Sequence, residues 1–376
     1  MSSLDEVVRS STVVICCGSG GVGKTTTAAV IAMEAAREGR RSVVVTIDPA
    51  RRLADALGLE GLSNTPVRID GVGSEDGRGE LWAMMLDTKA TFDGLVERYA
   101  ADPSQAERIL GNAFYQNISG SLSGTQEYMA SEKLYELAVE GDWDLVVVDT
   151  PPTRNALDFI DAPQRLATFL SHPLYRVFMT PRRGIVKAVN VAAQTVTRSL
   201  AKVVGAEVIG DAIAFFGAFE GMEDGFRDRA SRVEQLLAEA TTSFVLVASP
   251  KADTVEEASY FASRLAEHDI AVRALIVNRM QPAFVGAAGG DQGRAAGPDA
   301  VRARASSLAG TALGDLYTCL ADARELARDE EAHLVGLTTQ LGDAPLVRVP
   351  VQPFEVTDLE SLHTLGDVMF AAPDTP

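Results

Sequence analysis

The chain has 376 residues, of which 46% are hydrophobic and 23% charged, so it is long enough for one large or two ordinary globular domains. Its 52 acidic residues outnumber its 34 basic residues. The resulting net charge of −18 argues against nucleic acid as a main partner, because phosphate backbones bind basic surfaces.

A glycine-rich loop lies near the N-terminus, between a predicted buried strand at 12–17 and a predicted helix at 26–37. The loop, Gly18–Thr25, fits the pattern G-x-x-x-x-G-K-[ST] at every fixed position. In this pattern backbone N–H groups wrap a phosphate chain at a helix N-terminus, the lysine binds the β- and γ-phosphates, and the final hydroxyl holds Mg²⁺. The expected contacts to phosphate are Gly20, Gly21, Val22, Gly23, Lys24, Thr25 and Thr26.

Short apolar strands then alternate with predicted helices along the chain. The remaining strands are predicted at 42–47, 80–86, 144–149, 243–248, 272–277 and 346–349, and the main later helices at 89–100, 103–117, 127–140, 185–204 and 299–341. About seven apolar strands separated by helices predict an α/β fold with a largely parallel sheet covered on both faces. Residues 157–240 carry no strand signal. We therefore expect one domain over 1–376 with an α-helical subdomain inserted at 157–240.

Two aspartates follow predicted strands, Asp48 after the second and Asp149 after the fourth. Open α/β sheets bind ligands at the carboxyl ends of their strands, so both would lie beside the phosphate loop if their strands neighbour it. One carboxylate would hold Mg²⁺ through water and the other would orient the attacking water. A strand-end aspartate is otherwise a helix cap or a turn former.

Taken in order, these motifs resemble those of the ArsA-type ATPases, a branch of the SIMIBI-type phosphate-loop NTPases. The resemblance runs from about Val13 to Val356. It rests on the phosphate loop at 18–26, a first switch at Thr46–Ala50 and Leu53, a second switch at Asp149–Thr153, a strand-end Asn278 and a C-terminal loop at Val349–Glu355.

The resemblance implies ATP and Mg²⁺ as cofactors and assigns a role to each matching residue. Lys24 and Asp48 would be catalytic, and the metal would be held by Thr25 directly and by Asp149 through water. Asn278 would hydrogen-bond the adenine, with Pro350 and Gln352 lining it. Without the family, Asn278 is a strand-end turn residue and Pro350 a strand stop.

One position departs from the family pattern. The family usually has lysine directly before Gly-Gly, where this chain has Ser19. That lysine reaches across a dimer to the partner's nucleotide, and a cation supplied in trans is worth about 10³–10⁵ in rate. Serine supplies no cation, so we expect a heterodimer with a homologous subunit that keeps the lysine. Alternatively, a nearby arginine substitutes for it, the candidates being Arg51, Arg52 and Arg154.

The predicted helical subdomain at 157–240 bears on which molecule the ATPase would act on, its client. In the tail-anchored-protein targeting branch of the family this region carries a groove for a transmembrane segment. The side chains that could line a groove here are Phe169, Leu170, Phe178, Met179, Phe215, Phe216, Phe219 and Met222. The alternative, which the sparse methionine favours, is that they form the subdomain's own core. No cysteine lies between Cys17 and Cys319, so stimulation by arsenite is not expected.

The main functional hypothesis is a dimeric switch ATPase that couples its nucleotide state to a hydrophobic or membrane-associated client. A second hypothesis is a nucleotide-binding regulatory subunit with little hydrolysis of its own. A partitioning or septum-placement ATPase is the weakest of the three, because those chains are usually shorter. No window is apolar enough to cross a membrane and no signal core is present, so we expect a cytoplasmic protein that reaches a membrane only through a partner.

Overall fold

Eight strands form one sheet in the order β3-β4-β2-β5-β1-β6-β7-β8. The computed structural model describes residues 3–48, 52–74, 77–118, 125–151, 159–162, 164–165, 168, 206–219, 221–284 and 297–371. The strands are β1 Val13–Gly18, β2 Arg41–Thr46, β3 Val67–Ile69, β4 Glu80–Met85, β5 Leu145–Asp149, β6 Thr242–Ala248, β7 Val272–Met280 and β8 Leu346–Pro350. Every neighbouring pair is parallel except β3 and β4.

Helices cover both faces of this sheet. They are α1 Leu4–Ser10, α2 Lys24–Arg37, α3 Arg52–Ala56, α4 Thr88–Tyr99, α5 Pro103–Leu110, α6 Ala113–Ile118, α7 Thr125–Tyr135, α8 Ala206–Ala218, α9 Glu223–Ala238, α10 Ala252–Glu267, α11 Pro298–Ser307, α12 Ala312–Leu341 and α13 Leu359–Met369. A π-helical turn, Glu136–Glu140, continues α7 towards β5. Among the described residues, none of these helices combines the length and the apolar character that crossing a bilayer requires.

The central strands are buried along their whole length, which explains their unbroken apolar sequences. All residues of β1, β5 and β6 are buried. Alternate side chains enter two cores, one under α1, α2 and α13 and the other under α7, α9, α10 and α12. The parallel α/β sheet that the sequence predicts is therefore confirmed.

A third apolar cluster lies away from the sheet and joins α8 and α9 to α4, α5, α6 and α7. Phe215, Phe219 and Met222 are at most 7% exposed within it, and Phe216 packs partly buried against it. These four side chains of the proposed groove therefore belong to a core. The other four, Phe169, Leu170, Phe178 and Met179, lie outside the described residues, as does the helix predicted at 185–204. The inserted subdomain at 157–240 stays a prediction.

The sequence analysis missed one strand and two helix breaks. The strand that was not predicted is β3. It has three residues, of which only Ile69 is buried, so no apolar run marks it in the sequence. The helix predicted at 103–117 ends at Gly111, where Asn112 accepts a hydrogen bond from the Tyr115 backbone and starts a new helix. The helix predicted at 299–341 breaks before Thr311, whose hydroxyl caps α12.

A buried ion pair ties α9 to α7 beneath the third cluster. Arg229 lies 2.6 Å from Glu132, and the two side chains are 5% and 2% exposed. Arg229 also contacts Glu140 in the π-helical turn, with 2.5 Å between Nη1 and Oε1. Its guanidinium lies 3.9 Å over the ring of Tyr135.

We expect Arg229→Met to lower the free energy of unfolding by about 3–5 kcal/mol, because it leaves the Glu132 carboxylate buried without its partner. The double change Glu132→Leu with Arg229→Met removes both charges and is expected to recover most of the loss. Urea unfolding of the purified chain measures both. A single variant within about 1 kcal/mol of wild type would show that this pair does not stabilise the helical layer.

Candidate functional site

The glycine-rich loop connects β1 to α2. At two of its glycines, neighbouring atoms lie where a side chain would begin. A Cβ on Gly18 would lie 2.0 Å from the carbonyl oxygen of Val247 in β6. A Cβ on Gly23 would lie 2.3 Å from Nδ2 of Asn278, and Gly23 also has a φ of +99°. Glycine at these two positions lets the backbone turn tightly into the N-terminus of α2, where unpaired N–H groups favour an anion.

Lys24 is folded back into the loop that precedes it. Lys24 is 7% exposed, and its ammonium donates to the carbonyl oxygen of Ser19 over 2.8 Å. Burial lowers the pKa of Lys24, and the nearby Asp149 carboxylate acts in the opposite direction. A cation held at the mouth of an N–H-lined loop attracts phosphate.

The carboxylate of Asp149 joins the phosphate loop to β2. Its Oδ2 atom accepts hydrogen bonds from the hydroxyls of Thr25, at 2.7 Å, and of Thr46, at 2.9 Å. This contact is possible because β5 lies between β1 and β2, with Asp149 opposite both Cys16 and Thr46. Asp149 is 1% exposed. Burial raises the pKa of its carboxyl, while the two hydroxyls and Lys24 lower it.

The other oxygen of this carboxylate has a different environment. Oδ1 of Asp149 is buried and has no hydrogen-bond partner. An unsatisfied buried carboxylate oxygen beside a threonine hydroxyl suits a hard cation such as Mg²⁺, which prefers oxygen ligands and keeps several waters. The donor set therefore fits magnesium held by Thr25 directly and by Asp149 through water.

Asp48 follows β2 and lies beside the same threonine. Its backbone N–H donates to the Thr46 hydroxyl over 3.2 Å, so Thr46 links it to Asp149. One carboxylate oxygen of Asp48 lies 3.9 Å from the guanidinium of Arg52. The structure thus brings the two predicted aspartates to one end of the sheet. Arg51 and Arg154 are the other two arginines that could replace the cation missing at Ser19. Both lie outside the described residues.

The remaining predicted contacts lie at the ends of β7 and β8. Asn278 donates from Nδ2 to the carbonyl oxygen of Val22 over 2.9 Å, which brings it to the loop itself. Gln352 donates from Nε2 to the carbonyl of Pro350 over 2.8 Å. A cavity of about 430 Å³ opens beside Pro350 and Met280, with arginine side chains in its wall. Among the described residues, Pro350 is the only predicted site residue in the wall of this cavity, which is otherwise formed by the end of β7 and residues that follow it, by the start of α11, by α12 and by Arg348 of β8.

Two side chains make contacts at this site that the sequence does not predict. Thr46 lies in the predicted first switch, two residues before Asp48, but its contact with Asp149 is visible only in the structure. Glu257 carries no signal in the sequence. It lies 238 residues from Ser19 in sequence, yet its Oε2 accepts a hydrogen bond from the Ser19 hydroxyl over 2.5 Å.

The fold and the loop together define a phosphate-loop NTPase fold of the SIMIBI type, with the loop at the carboxyl end of a largely parallel sheet. A family profile described as anion-transporting ATPase, ArsA_ATPase, matches residues 11–287. The chain belongs to this ArsA-type ATPase family.

Individual relatives are distant. ATPase ARSA2 of Chlamydomonas reinhardtii is 27% identical over 257 residues, which is 66% of this chain and 62% of that protein. The ATPase ASNA1 homolog of Trypanosoma cruzi is 25% identical over 251 residues, 64% of this chain and 63% of that protein. ATPase GET3 of Malassezia globosa is 24% identical over 261 residues, 66% and 67% respectively. The chain thus spans under two thirds of the length of the first two.

The buried carboxylate predicts a pH-dependent stability in the nucleotide-free chain. Since burial raises the pKa of Asp149, the folded state holds a proton over a pH window in which the unfolded chain has released it. The free energy of unfolding therefore falls as the pH rises through that window.

We expect Asp149→Asn, which keeps an oxygen acceptor and removes the charge, to raise Tm by roughly 2–4 °C at pH 8. This gain should shrink as the pH falls towards 4 and the native carboxyl takes up its proton. Differential scanning calorimetry without nucleotide or magnesium measures it, with the exposed Asp70→Asn as the matched control. A loss of Tm at pH 8 that exceeds the loss at pH 4 would contradict the assignment.

Proposed function

We propose that this chain binds ATP with Mg²⁺ and hydrolyses it to ADP and phosphate. The observation that carries the proposal is the shared carboxylate of Asp149, whose Oδ2 holds Thr25 and Thr46 while Oδ1 stays unsatisfied. The relatives named above support it, because each is called an ATPase.

Each residue near the loop has a definite task in this proposal. The backbone N–H groups of residues 20–26 and the Lys24 ammonium bind the phosphate chain. Thr25 ligates Mg²⁺ and Asp149 holds it through water; bound there, the metal neutralises the negative charge that develops on the phosphates. Asp48 accepts a hydrogen bond from the attacking water and orients it towards the terminal phosphate.

The strand ends of β7 and β8 supply the base site in the same proposal. Asn278 already donates to Val22 of the loop, and its side-chain oxygen accepts from the Arg279 backbone. Adenine would lie beyond it, beside Pro350 and Gln352.

We also propose that the working unit is a dimer, with a homologous subunit as the partner. The resemblance to the tail-anchored-protein targeting branch of the family supports a switch that acts on a hydrophobic or membrane-associated client. Ser19 offers no cation at the position where the family usually has lysine. A heterodimer in which the partner supplies that cation is therefore favoured over a homodimer.

One observation favours a second candidate, a nucleotide-binding regulatory subunit that hydrolyses little ATP itself. Ser19 is hydrogen-bonded to a carboxylate, that of Glu257, so an acid lies where the family pattern has a cation. The Asp48 backbone nevertheless donates to the Thr46 hydroxyl, which donates to Asp149, so both aspartates remain available at the strand ends for the hydrolytic role. Single-turnover hydrolysis by the assembled pair, with Asp48→Asn placed in one chain at a time, separates the two candidates.

We expect Lys24→Ala to weaken binding of magnesium-ATP by at least about 100-fold, since a buried charge-assisted contact to phosphate is lost. Asp48→Asn should keep the affinity within about threefold and lower turnover by about 10²–10⁴, the usual contribution of a positioned proton acceptor. Isothermal titration calorimetry and phosphate release measure the two quantities. Unchanged affinity in Lys24→Ala would overturn the proposal.

The heterodimer has its own test, which uses the Ser19 position directly. ATP turnover of the purified chain is compared with turnover after the homologous subunit is added. We expect a rise of about 10³-fold or more, because a cation supplied in trans stabilises the transition state. Full turnover by the lone chain, insensitive to Arg52→Ala, would remove the heterodimer.

A further inference from the structure

Ser19 is held from both of its polar ends. Its hydroxyl donates to Oε2 of Glu257 over 2.5 Å, and its carbonyl oxygen accepts from the Lys24 ammonium over 2.8 Å. Ser19 itself is 4% exposed. A hydroxyl that donates to a carboxylate at such a length makes a strong, charge-assisted hydrogen bond. The carboxylate, the serine and the lysine thus form one chain of contacts at the start of the phosphate loop.

The helix that carries Glu257 is fixed to the core of the domain. In α10, Val255 and Ala258 on either side of Glu257 are buried in the core beneath the sheet, and Phe261 follows one turn later with no exposure. The preceding strand, β6, pairs directly with β1, which leads into the loop. Glu257 is therefore an exposed acceptor, carried by a helix that packs on the core of the sheet, and it accepts from a buried donor.

We infer that Glu257 is a positioning residue of the nucleotide site. Its carboxylate fixes Ser19, and the Ser19 carbonyl in turn holds the Lys24 ammonium inside the loop, ready for the phosphates. This role rests on the proposed function, since it presumes that the loop binds magnesium-ATP. It deepens that function by assigning the shape of the loop to a residue far away in sequence.

The inference separates two effects of one side chain. As a hydrogen-bond acceptor Glu257 favours the binding-competent loop, whereas its negative charge repels the phosphates that the loop receives. Glu257→Gln keeps an acceptor oxygen and removes the charge, and Glu257→Ala removes both. Glu257→Ala should therefore weaken nucleotide binding, whereas Glu257→Gln should not.

The experiment measures the Kd for magnesium-ATP by calorimetry and the amide hydrogen exchange of the peptide covering 18–25 in the nucleotide-free chain. We expect Glu257→Ala and Ser19→Ala each to weaken binding by about tenfold, the value of one hydrogen bond to a charged group. The double variant should be no weaker than either single one, because both break the same contact. Glu257→Gln should bind as tightly as wild type or more tightly.

Hydrogen exchange reports the contact without any nucleotide. Loop amides should exchange about tenfold faster in Glu257→Ala and in Ser19→Ala, and at the wild-type rate in Glu257→Gln. Glu256→Ala, an exposed acid one residue away on α10, is the matched control and should leave the Kd and the exchange rates unchanged.

The outcomes distinguish this inference from the proposed function. If wild type binds magnesium-ATP and Glu257→Ala binds equally well with unaltered loop exchange, the positioning role fails and the ATP site stands. Additive losses in the double variant would likewise overturn it, since Ser19 and Glu257 would then act separately. If wild type binds no magnesium-ATP, the proposed function fails whatever the exchange rates of the variants are.

Discussion

The structure of the site depends on one buried carboxylate, that of Asp149. It binds the hydroxyl of the phosphate loop and the hydroxyl at the end of β2 through the same oxygen atom, Oδ2. Burying this charge costs free energy, which two hydroxyl donors and the ammonium of Lys24 only partly offset. The uncompensated part of this cost lies at Oδ1, which is buried and has no hydrogen-bond partner. A buried oxygen without a partner calls for an explanation, and a bound water or metal ion is one that the neighbouring hydroxyls permit.

Strand order turns this single contact into a coupling between segments. Since β5 lies between β1 and β2, Asp149 connects the loop to Thr46, and Thr46 contacts the backbone of Asp48. Thr150, the residue after Asp149, donates from its hydroxyl to the carbonyl of Cys16. This hydrogen bond fixes the start of the predicted second switch to β1. Further along, Gln126 of α7 donates to the carbonyl of Ile47. Loop, both strand ends and a helix of the third cluster are thereby joined by short hydrogen bonds.

The chain differs from the family pattern in the sign of the charge beside its loop. A lysine before the two glycines would bring a cation, whereas Ser19 brings a hydroxyl that is already engaged by Glu257. The loop is thereby held from within its own chain, with Lys24 as its own cation. Arg52, which lies 3.9 Å from Asp48, is a second cation near this site. The proposal of an asymmetric pair of subunits rests on the missing lysine at Ser19.

The sequence by itself determined the local features of this protein. The phosphate loop, seven of the eight strands and the motifs that identify the family follow from short-range patterns of glycine, charge and apolar residues, because each is set by backbone geometry within a few residues. The tertiary structure determined which of these local features contact one another. It showed that Asp149 serves β1 and β2 together, that Phe215, Phe219 and Met222 face a core, and that Glu257 reaches Ser19. Such contacts join residues up to 238 positions apart, and only the order of the strands in the sheet brings them within hydrogen-bond distance.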